Sequence, residues 1–306
     1  MKVERLLPNT CHNRMDAVIT YVNGLDPLWQ EDYRTHVDGA VTAKRFRDWG
    51  TLPYLLRGIE RHMPFVENVF LVVARESQVP SWVDRSRVNI VLHSEIIPER
   101  FLPVFNSTAI ELFLWRIPGL GEEFVYFNDD FFPMADCAPE DFFQDGKAVI
   151  HFSRHFLCLS QYMRHTRNSY RMAAEAAGQH GGLVFHRPQH ICTPLLRSGC
   201  EEAYARGEAD ILSSVTKVRE DCNVNYYLFC DYLRFSGRTV DRKLSRKHFS
   251  LAVTSADKLC GFIAGPDRKV MCVNDVKVPE EKYEELRSRW LAAFEEAFPS
   301  KSCFEL

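Results

Sequence analysis

Four apolar runs in the first half of the chain predict strands that are buried on both faces. They occupy residues 16–24, 68–74, 88–92 and 124–132. The runs consist mostly of Val, Ile, Leu, Phe and Tyr and do not alternate with polar residues, which is typical of parallel strands covered by helices. We therefore expect these runs to form the core of one sheet.

The segments between the runs carry helical spacing. Pro53 stands in the first turn of a predicted helix after Thr51, and four apolar residues follow one face of that helix: Leu52, Leu55, Leu56 and Ile59. A second helix over residues 106–115 has Asn106 or Ser107 as its cap. This alternation predicts an α/β, Rossmann-like fold with a mostly parallel sheet and helices on both faces.

The character of the chain changes near residue 145. Residues 147–200 are rich in Arg and His, residues 200–235 are typical of helix, and a basic loop is expected at 242–248. An apolar strand at 269–275 and a helix after Pro279 complete the chain. We divide a single domain, 1–306, into an α/β half at 12–145, a mainly helical, Arg- and His-rich region at 146–260, and a final strand and helix at 261–306.

Two strand ends share an acidic signature. Asn128, Asp129 and Asp130 interrupt the run at 124–132, and Asn274-Asp275 ends the later strand. Adjacent carboxylates at the carboxyl end of a parallel strand suggest a divalent cation, although an Asx-rich turn is the alternative. If the two strands are close in the sheet, three carboxylates and two amides meet in one crevice.

Composition and charge narrow the class of protein. The chain has 306 residues, 46% of them hydrophobic, and a net charge of −3, which indicates a folded protein and argues against a nucleic-acid partner. Ten cysteines occur without a CxxC pair, so reduced thiols are expected rather than disulfides. No signal peptide or membrane span is apparent, and we expect a cytoplasmic protein, with the inner face of the cell membrane as an alternative location.

Several sequence blocks resemble the Stealth family. The blocks are DAVITYVNGLD at 16–26, RFRDWGTLPYLLRGIE at 45–60, LPVFNSTAIE at 102–111, YFNDDFF at 126–132, HRP at 186–188, RED at 219–221, CVND at 272–275 and FPSKSCFE at 298–305. The family comprises bacterial capsule hexose-1-phosphoryltransferases and the catalytic subunit of the lysosomal-enzyme GlcNAc-1-phosphotransferase. The resemblance covers nearly the whole chain.

The resemblance implies a metal-dependent transfer of a hexose 1-phosphate, such as GlcNAc-1-phosphate. The donor would be a UDP-sugar, the acceptor a hydroxyl group of a glycan, and UMP would be released during capsule or exopolysaccharide synthesis. Mg²⁺ or Mn²⁺ would bind Asp129, Asp130 and Asp275. Arg219 and Arg187 would contact the transferred phosphate, and His186 competes with Asp129 and Asp130 for the role of base. Peripheral association with envelope assembly machinery would fit this reaction.

The remaining substrate contacts are expected around the strand ends, at Asn23, Gly24, Asp16, Arg45, Asp48, Asn106, Asn128 and Asn274. Arg45 and Asp48 are equally well interpreted as a structural ion pair, and for Asn106 the helix cap is the favoured role. We interpret His151, His155 and His190 as surface or structural residues. A metal-dependent glycosyltransferase that releases UDP is the alternative enzyme, and a glycan-binding module without catalysis is the alternative class.

Overall fold

A five-stranded, mostly parallel sheet forms the centre of the fold in the computed structural model, which describes residues 15–38, 46–274 and 278–306. Its strand order is β10-β4-β1-β2-β3, in which β10 alone runs antiparallel to its neighbour. The predicted α/β class with a mostly parallel sheet is therefore confirmed.

The strands are short. They are Met15–Thr20 (β1), Val66–Val73 (β2), Val88–Leu92 (β3), Glu123–Asn128 (β4), Phe131–Pro133 (β5), Phe143–Gln144 (β6), Lys147–Val149 (β7), Phe152–His155 (β8), Phe185–Pro188 (β9), Thr193–Leu196 (β10), Thr239–Val240 (β11), Arg246–Ser250 (β12) and Val270–Asn274 (β13). Smaller sheets pair β12, β13 and β5, and also β8 and β9.

The α-helices connect these strands and cover the sheet. They are Pro27–His36 (α1), Leu52–His62 (α2), His93–Ile96 (α3), Ser107–Glu111 (α4), Gln161–Ala176 (α5), Arg197–Ser213 (α6), Tyr227–Phe235 (α7), Ala256–Ala264 (α8) and Glu280–Ala297 (α9). Within the described residues no helix is both long and apolar enough to cross a membrane. The nine cysteines that the structure describes are all free thiols, as expected.

The acidic signature divides the predicted strand at 124–132 into two. β4 ends at Asn128, the chain turns through Asp129 and Asp130, and β5 begins at Phe131. β5 leaves the central sheet and pairs antiparallel with β13. The apolar residues on both sides of the turn are fully buried, but in two different sheets, which the apolar pattern alone does not distinguish.

The predicted helix at 200–235 is also two elements. α6 ends at Ser213, α7 begins at Tyr227, and the loop between them contains Arg219. The predicted helix at 106–115 is α-helical only to Glu111. Both differences place irregular backbone next to the end of β4, where it carries polar side chains.

The C-terminal block FPSKSCFE is fixed to α2 by Arg57. This guanidinium donates hydrogen bonds of 2.9 and 2.8 Å to the Glu305 carboxylate and one of 2.7 Å to the Phe298 carbonyl. Both side chains are at most 10% exposed. The resemblance of this block to the family therefore has a structural basis, because it closes the core against α2.

We expect the substitution Arg57→Met to lower the free energy of unfolding by about 3 kcal/mol, because it leaves the Glu305 carboxylate buried without its partner. Arg61→Met is the matched control. Arg61 lies one turn further along α2, is exposed, and donates a hydrogen bond to the Ala297 carbonyl, so the loss should stay within about 0.5 kcal/mol. Equal losses in urea titrations of the two variants would contradict this account.

Candidate active site

The two acidic strand ends lie side by side. Thr20 at the end of β1 pairs with Asn128 at the end of β4. The Asp130 carbonyl accepts a 3.0 Å hydrogen bond from the Val273 amide, one residue before Asn274. The turn at Asp130 therefore lies next to the end of β13 that carries Asn274. Asp275 and Arg45 lie outside the described residues.

Asp129 and Asp130 are half-buried in the turn that follows β4. The Asp129 carboxylate helps to raise the pKa of Tyr21 and Tyr126, both of which are raised first by burial. Asp130 contributes in the same way to the raised pKa of the buried Cys272 thiol. Two adjacent carboxylates match the oxygen donors that Mg²⁺ and Mn²⁺ prefer, so these residues fit the predicted metal.

A buried hydroxyl connects Asn128 to α4. Tyr126 donates a 2.6 Å hydrogen bond to the Asn128 side-chain oxygen and lies 3.4 Å from Glu111 Oε1 and 3.1 Å from the Thr20 hydroxyl. These contacts fix the amide at the carboxyl end of β4. The side-chain amide of Asn128, which we predicted to contact the substrate, is therefore also part of an internal hydrogen-bond network.

Glu111 is a buried carboxyl group that sequence reasoning missed, because it appears there only as one residue inside the helix predicted over 106–115. Burial raises its pKa from 4.5 to about 7, although Arg219, the Tyr226 amide and the Tyr126 hydroxyl act in the opposite direction. Arg219 in turn donates a 2.5 Å hydrogen bond to the Ser107 hydroxyl. Arg219 thus lies at the same end of the sheet as Asn128.

Glu111 should make the protein less stable as the pH rises. Its folded pKa of about 7 exceeds the unfolded value of 4.5, so the folded state retains a proton that the unfolded state releases between these pH values. The resulting loss of stability, about 3 kcal/mol, is complete above pH 7. Glu111→Gln, which cannot ionise, should remove this loss. Denaturant titrations at pH 5 and pH 8 measure it.

Glu99→Gln, at an exposed position, serves as the control for this prediction and should keep the wild-type pH dependence. An unchanged pH dependence in Glu111→Gln would contradict the assigned protonation.

Two asparagines hold the loop that carries Arg219. Asn106 is fully buried, caps α4 through the Thr108 amide, and donates a 3.2 Å hydrogen bond to the Val218 carbonyl. The Asn223 side-chain oxygen accepts hydrogen bonds from Asn106 and from the Glu220 amide. The favoured interpretation of Asn106 as a cap is confirmed, and its side chain also positions the loop at Val218.

His190 is the histidine that lies next to Asp130. The Asp130 carboxylate, a ring nitrogen of His190 and the Cys272 sulfur are within 4.8 Å of one another. Nδ1 of His190 is 3.3 Å from the Tyr227 hydroxyl, which is 2.8 Å from the Tyr162 hydroxyl. His190, which we interpreted as a surface or structural residue, is half-buried and has distant neighbours that a local pattern does not show.

Cationic side chains surround His190. Burial, followed by Arg246, His248, Arg187 and Arg219, lowers its pKa to about 4. Arg246 belongs to strand β12 rather than to the predicted basic loop, and its buried Nη1 has no hydrogen-bond partner in the part of the chain that the structure describes. Arg187 and Arg219 were predicted to approach phosphate, and both lie near this ring.

His186 lies in a different environment. Its Nδ1 is 3.3 Å from Arg234, and its ring packs 5.5 Å from that of Tyr170. Burial and Arg234 lower its pKa to about 4. Across the described residues, the contacts of His186 are with β8, α5 and α7 and do not include Asp129 or Asp130.

The predicted nucleotide contacts Asn23 and Gly24 lie in the loop after β1. The backbone of Asn23 exchanges two hydrogen bonds with the Gln78 side chain. Gly24 does not adopt a positive φ. Instead, a Cβ atom there would be 2.2 Å from the Phe46 carbonyl oxygen, so close packing requires glycine.

Two predicted substrate residues have structural partners. Asp16 lies at the start of β1, at the opposite end from Thr20, and accepts hydrogen bonds from Asn68 and the Gly121 amide. Asp16 therefore lies away from the strand ends at which the substrate contacts are expected. Asp48 accepts a 2.8 Å hydrogen bond from the Tyr21 hydroxyl, beside Asp129.

Known proteins match nearly the whole chain. The model of Stealth protein conserved region 2 matches residues 45–150. The capsular polysaccharide phosphotransferase WcwK of Streptococcus pneumoniae is 32% identical over 96% of this chain and 100% of its own length. The receptor polysaccharide phosphotransferase WefC of Streptococcus oralis is 30% identical with the same coverage. An exopolysaccharide phosphotransferase of Streptomyces coelicolor is 31% identical over 98% of this chain and 53% of its own length.

The names of these relatives agree on the class of enzyme. The chain is a phosphotransferase and belongs to the Stealth family.

Proposed function

We propose that the protein transfers a hexose 1-phosphate from a UDP-sugar to a hydroxyl group of a glycan, forming a phosphodiester and releasing UMP. The observation that carries this proposal is that His190 lies beside Asp130 and near enough to Arg246, Arg187 and Arg219 for their charges to lower its pKa. Acidic groups can hold a cation on one side of a diphosphate, while guanidinium groups contact its oxygens from the other side.

Phosphoryl transfer depends mainly on positioning and charge neutralisation. Mg²⁺ or Mn²⁺, held by Asp129 and Asp130, would neutralise negative charge on the diphosphate. The hydrogen bond to Ser107 orients the guanidinium group of Arg219. The buried Nη1 of Arg246 needs a hydrogen-bond acceptor. A substrate phosphate oxygen supplies such an acceptor for Arg246.

We assign the role of base to His190 rather than to His186, because the ring of His190 lies beside Asp130. In the protein without substrate, burial and the nearby arginines hold the pKa of His190 at about 4. A bound diphosphate offsets those positive charges and raises this pKa towards neutrality. Nε2 can then accept the proton of the acceptor hydroxyl, because the Tyr227 hydroxyl contacts Nδ1.

The relatives suggest the setting of the reaction. Their names refer to capsular, receptor and exopolysaccharides, so we propose a role in capsule or exopolysaccharide synthesis, at the cytoplasmic face of the membrane. The acceptor would be a growing glycan, and GlcNAc-1-phosphate is one candidate for the transferred group.

Product analysis tests the proposal. The full chain is incubated with Mg²⁺, a glycan acceptor and a panel of UDP-sugars, and the products are identified by mass spectrometry. We expect UMP and an acceptor whose mass has increased by a hexose phosphate. Release of UDP with transfer of the sugar alone would instead establish the alternative glycosyltransferase. A further control lacks the acceptor, because hydrolysis of the donor also releases nucleotide.

A further inference from the structure

Three side chains near the end of β13 offer donor atoms of different kinds. Asp130 provides a carboxylate oxygen, His190 an imidazole nitrogen and Cys272 a sulfur, all within 4.8 Å of one another. Tetrahedral zinc ligands lie about 3.5 Å apart, given metal–ligand distances of about 2.0 to 2.3 Å. Side-chain adjustments of about 1 Å would therefore bring the three atoms around one ion.

The geometry points to a binding site for a zinc-class divalent cation at Asp130, His190 and Cys272, whose occupation inhibits phosphotransfer. The ligand set distinguishes this ion from the one in the proposed reaction. Mg²⁺ prefers oxygen donors and gains little from sulfur or imidazole, whereas Zn²⁺ binds both strongly. Three protein ligands leave a fourth position for water or a phosphate oxygen.

The surroundings of the cluster suit ligation. The Tyr227 hydroxyl contacts Nδ1 of His190 and leaves Nε2 to face the ion, an outer contact of the kind that orients metal-binding histidines. Zinc binding would form a metal–sulfur bond and release the thiol proton to solvent. The thiolate and Asp130 together balance the charge of the ion.

Inhibition follows from the shared ligands, and this consequence rests on the proposed function. An ion held here removes Asp130 from the magnesium site and occupies the nitrogen of His190 that would accept the proton. Cys272 has no part in the proposed reaction. Zinc sensitivity and catalysis should therefore be separable by changing this one residue.

Cobalt reports the site directly, because a Co²⁺–thiolate bond gives a charge-transfer band in the near ultraviolet. Co²⁺ is titrated into the metal-free full chain. We expect a band that saturates at one equivalent and disappears when Zn²⁺ displaces the cobalt. Cys272→Ala should lack the band. Cys230→Ala, which removes another fully buried thiol, should keep it. No band in the wild type, or an equal band in Cys272→Ala, would overturn the proposal.

Two further variants protect the test if Cys272→Ala does not fold. His190→Gln and Asp130→Asn should each weaken Zn²⁺ binding roughly tenfold or more in calorimetric titrations, and unchanged affinity in both would also overturn the site.

In activity assays with Mg²⁺, zinc should inhibit the wild type, while Cys272→Ala should retain turnover and resist inhibition. Equal inhibition of the two proteins would refute the proposal that zinc bound at this site inhibits phosphotransfer. If no donor is turned over, the proposed function fails, yet the cobalt spectrum still decides the metal site.

Discussion

Asp129→Asn should lower the turnover number by about 10³-fold while leaving the fold intact. The amide has the size of the carboxylate but lacks its charge, so the metal that neutralises the diphosphate would be held less tightly. Asp129 is half-buried beside Tyr21 and Tyr126 at the end of β4. Steady-state kinetics over a range of Mg²⁺ concentrations would show both the loss of turnover and a higher metal requirement.

Asp145→Asn is the matched control for this prediction. Asp145 is exposed in the turn between β6 and β7 and has a positive φ of 51°, which asparagine also adopts. The same chemical change at this position should alter neither turnover nor stability. Full activity of Asp129→Asn with an unchanged metal requirement would remove the acidic strand end from the mechanism.

The sequence was most informative where burial alone determines structure. The runs that became β1, β2, β3 and β4 are apolar on both faces because helices cover the sheet. A local pattern sufficed for these strands, since each strand needs only its own residues to be recognised. Asp130 lies next to the end of β13 because β5, which follows Asp130, pairs with that strand.

The candidate site was harder to predict from the sequence, because its residues are brought together by elements that are distant in the chain. The sequence favours His186, which belongs to the HRP block, over His190, and only the packing of β13 and α7 brings His190 next to Cys272 and Tyr227. Glu111 resembles any other residue inside a predicted helix until burial is known. Arg246 was not recognised because it belongs to a basic segment typical of solvated loops. The structure shows that this segment contains the start of strand β12.

Arg219→Ala should lower the turnover number by about 10²- to 10³-fold, with a smaller effect on KM. The guanidinium is held by Ser107 and lies near Glu111 and His190, where it can stabilise charge that develops on the transferred phosphate. Arg219→Lys keeps the charge but loses the planar fork, so it should recover only part of the activity. Arg206→Ala, on the exposed surface of α6, should be fully active.

Two measurements separate this catalytic role from a purely structural one. Ser107→Ala keeps the guanidinium but removes the hydroxyl that orients it, so turnover should fall by roughly tenfold with little loss of stability. Arg219 lowers the pKa of Glu111, and its removal should therefore raise the pH at which the fall in stability ends. A shift in that pH without any loss of turnover would assign Arg219 to the fold alone. The catalytic role predicts a different result. Both Arg219→Ala and Ser107→Ala should lose turnover while their stability near pH 6 stays unchanged, because the guanidinium acts on the substrate from a fixed position.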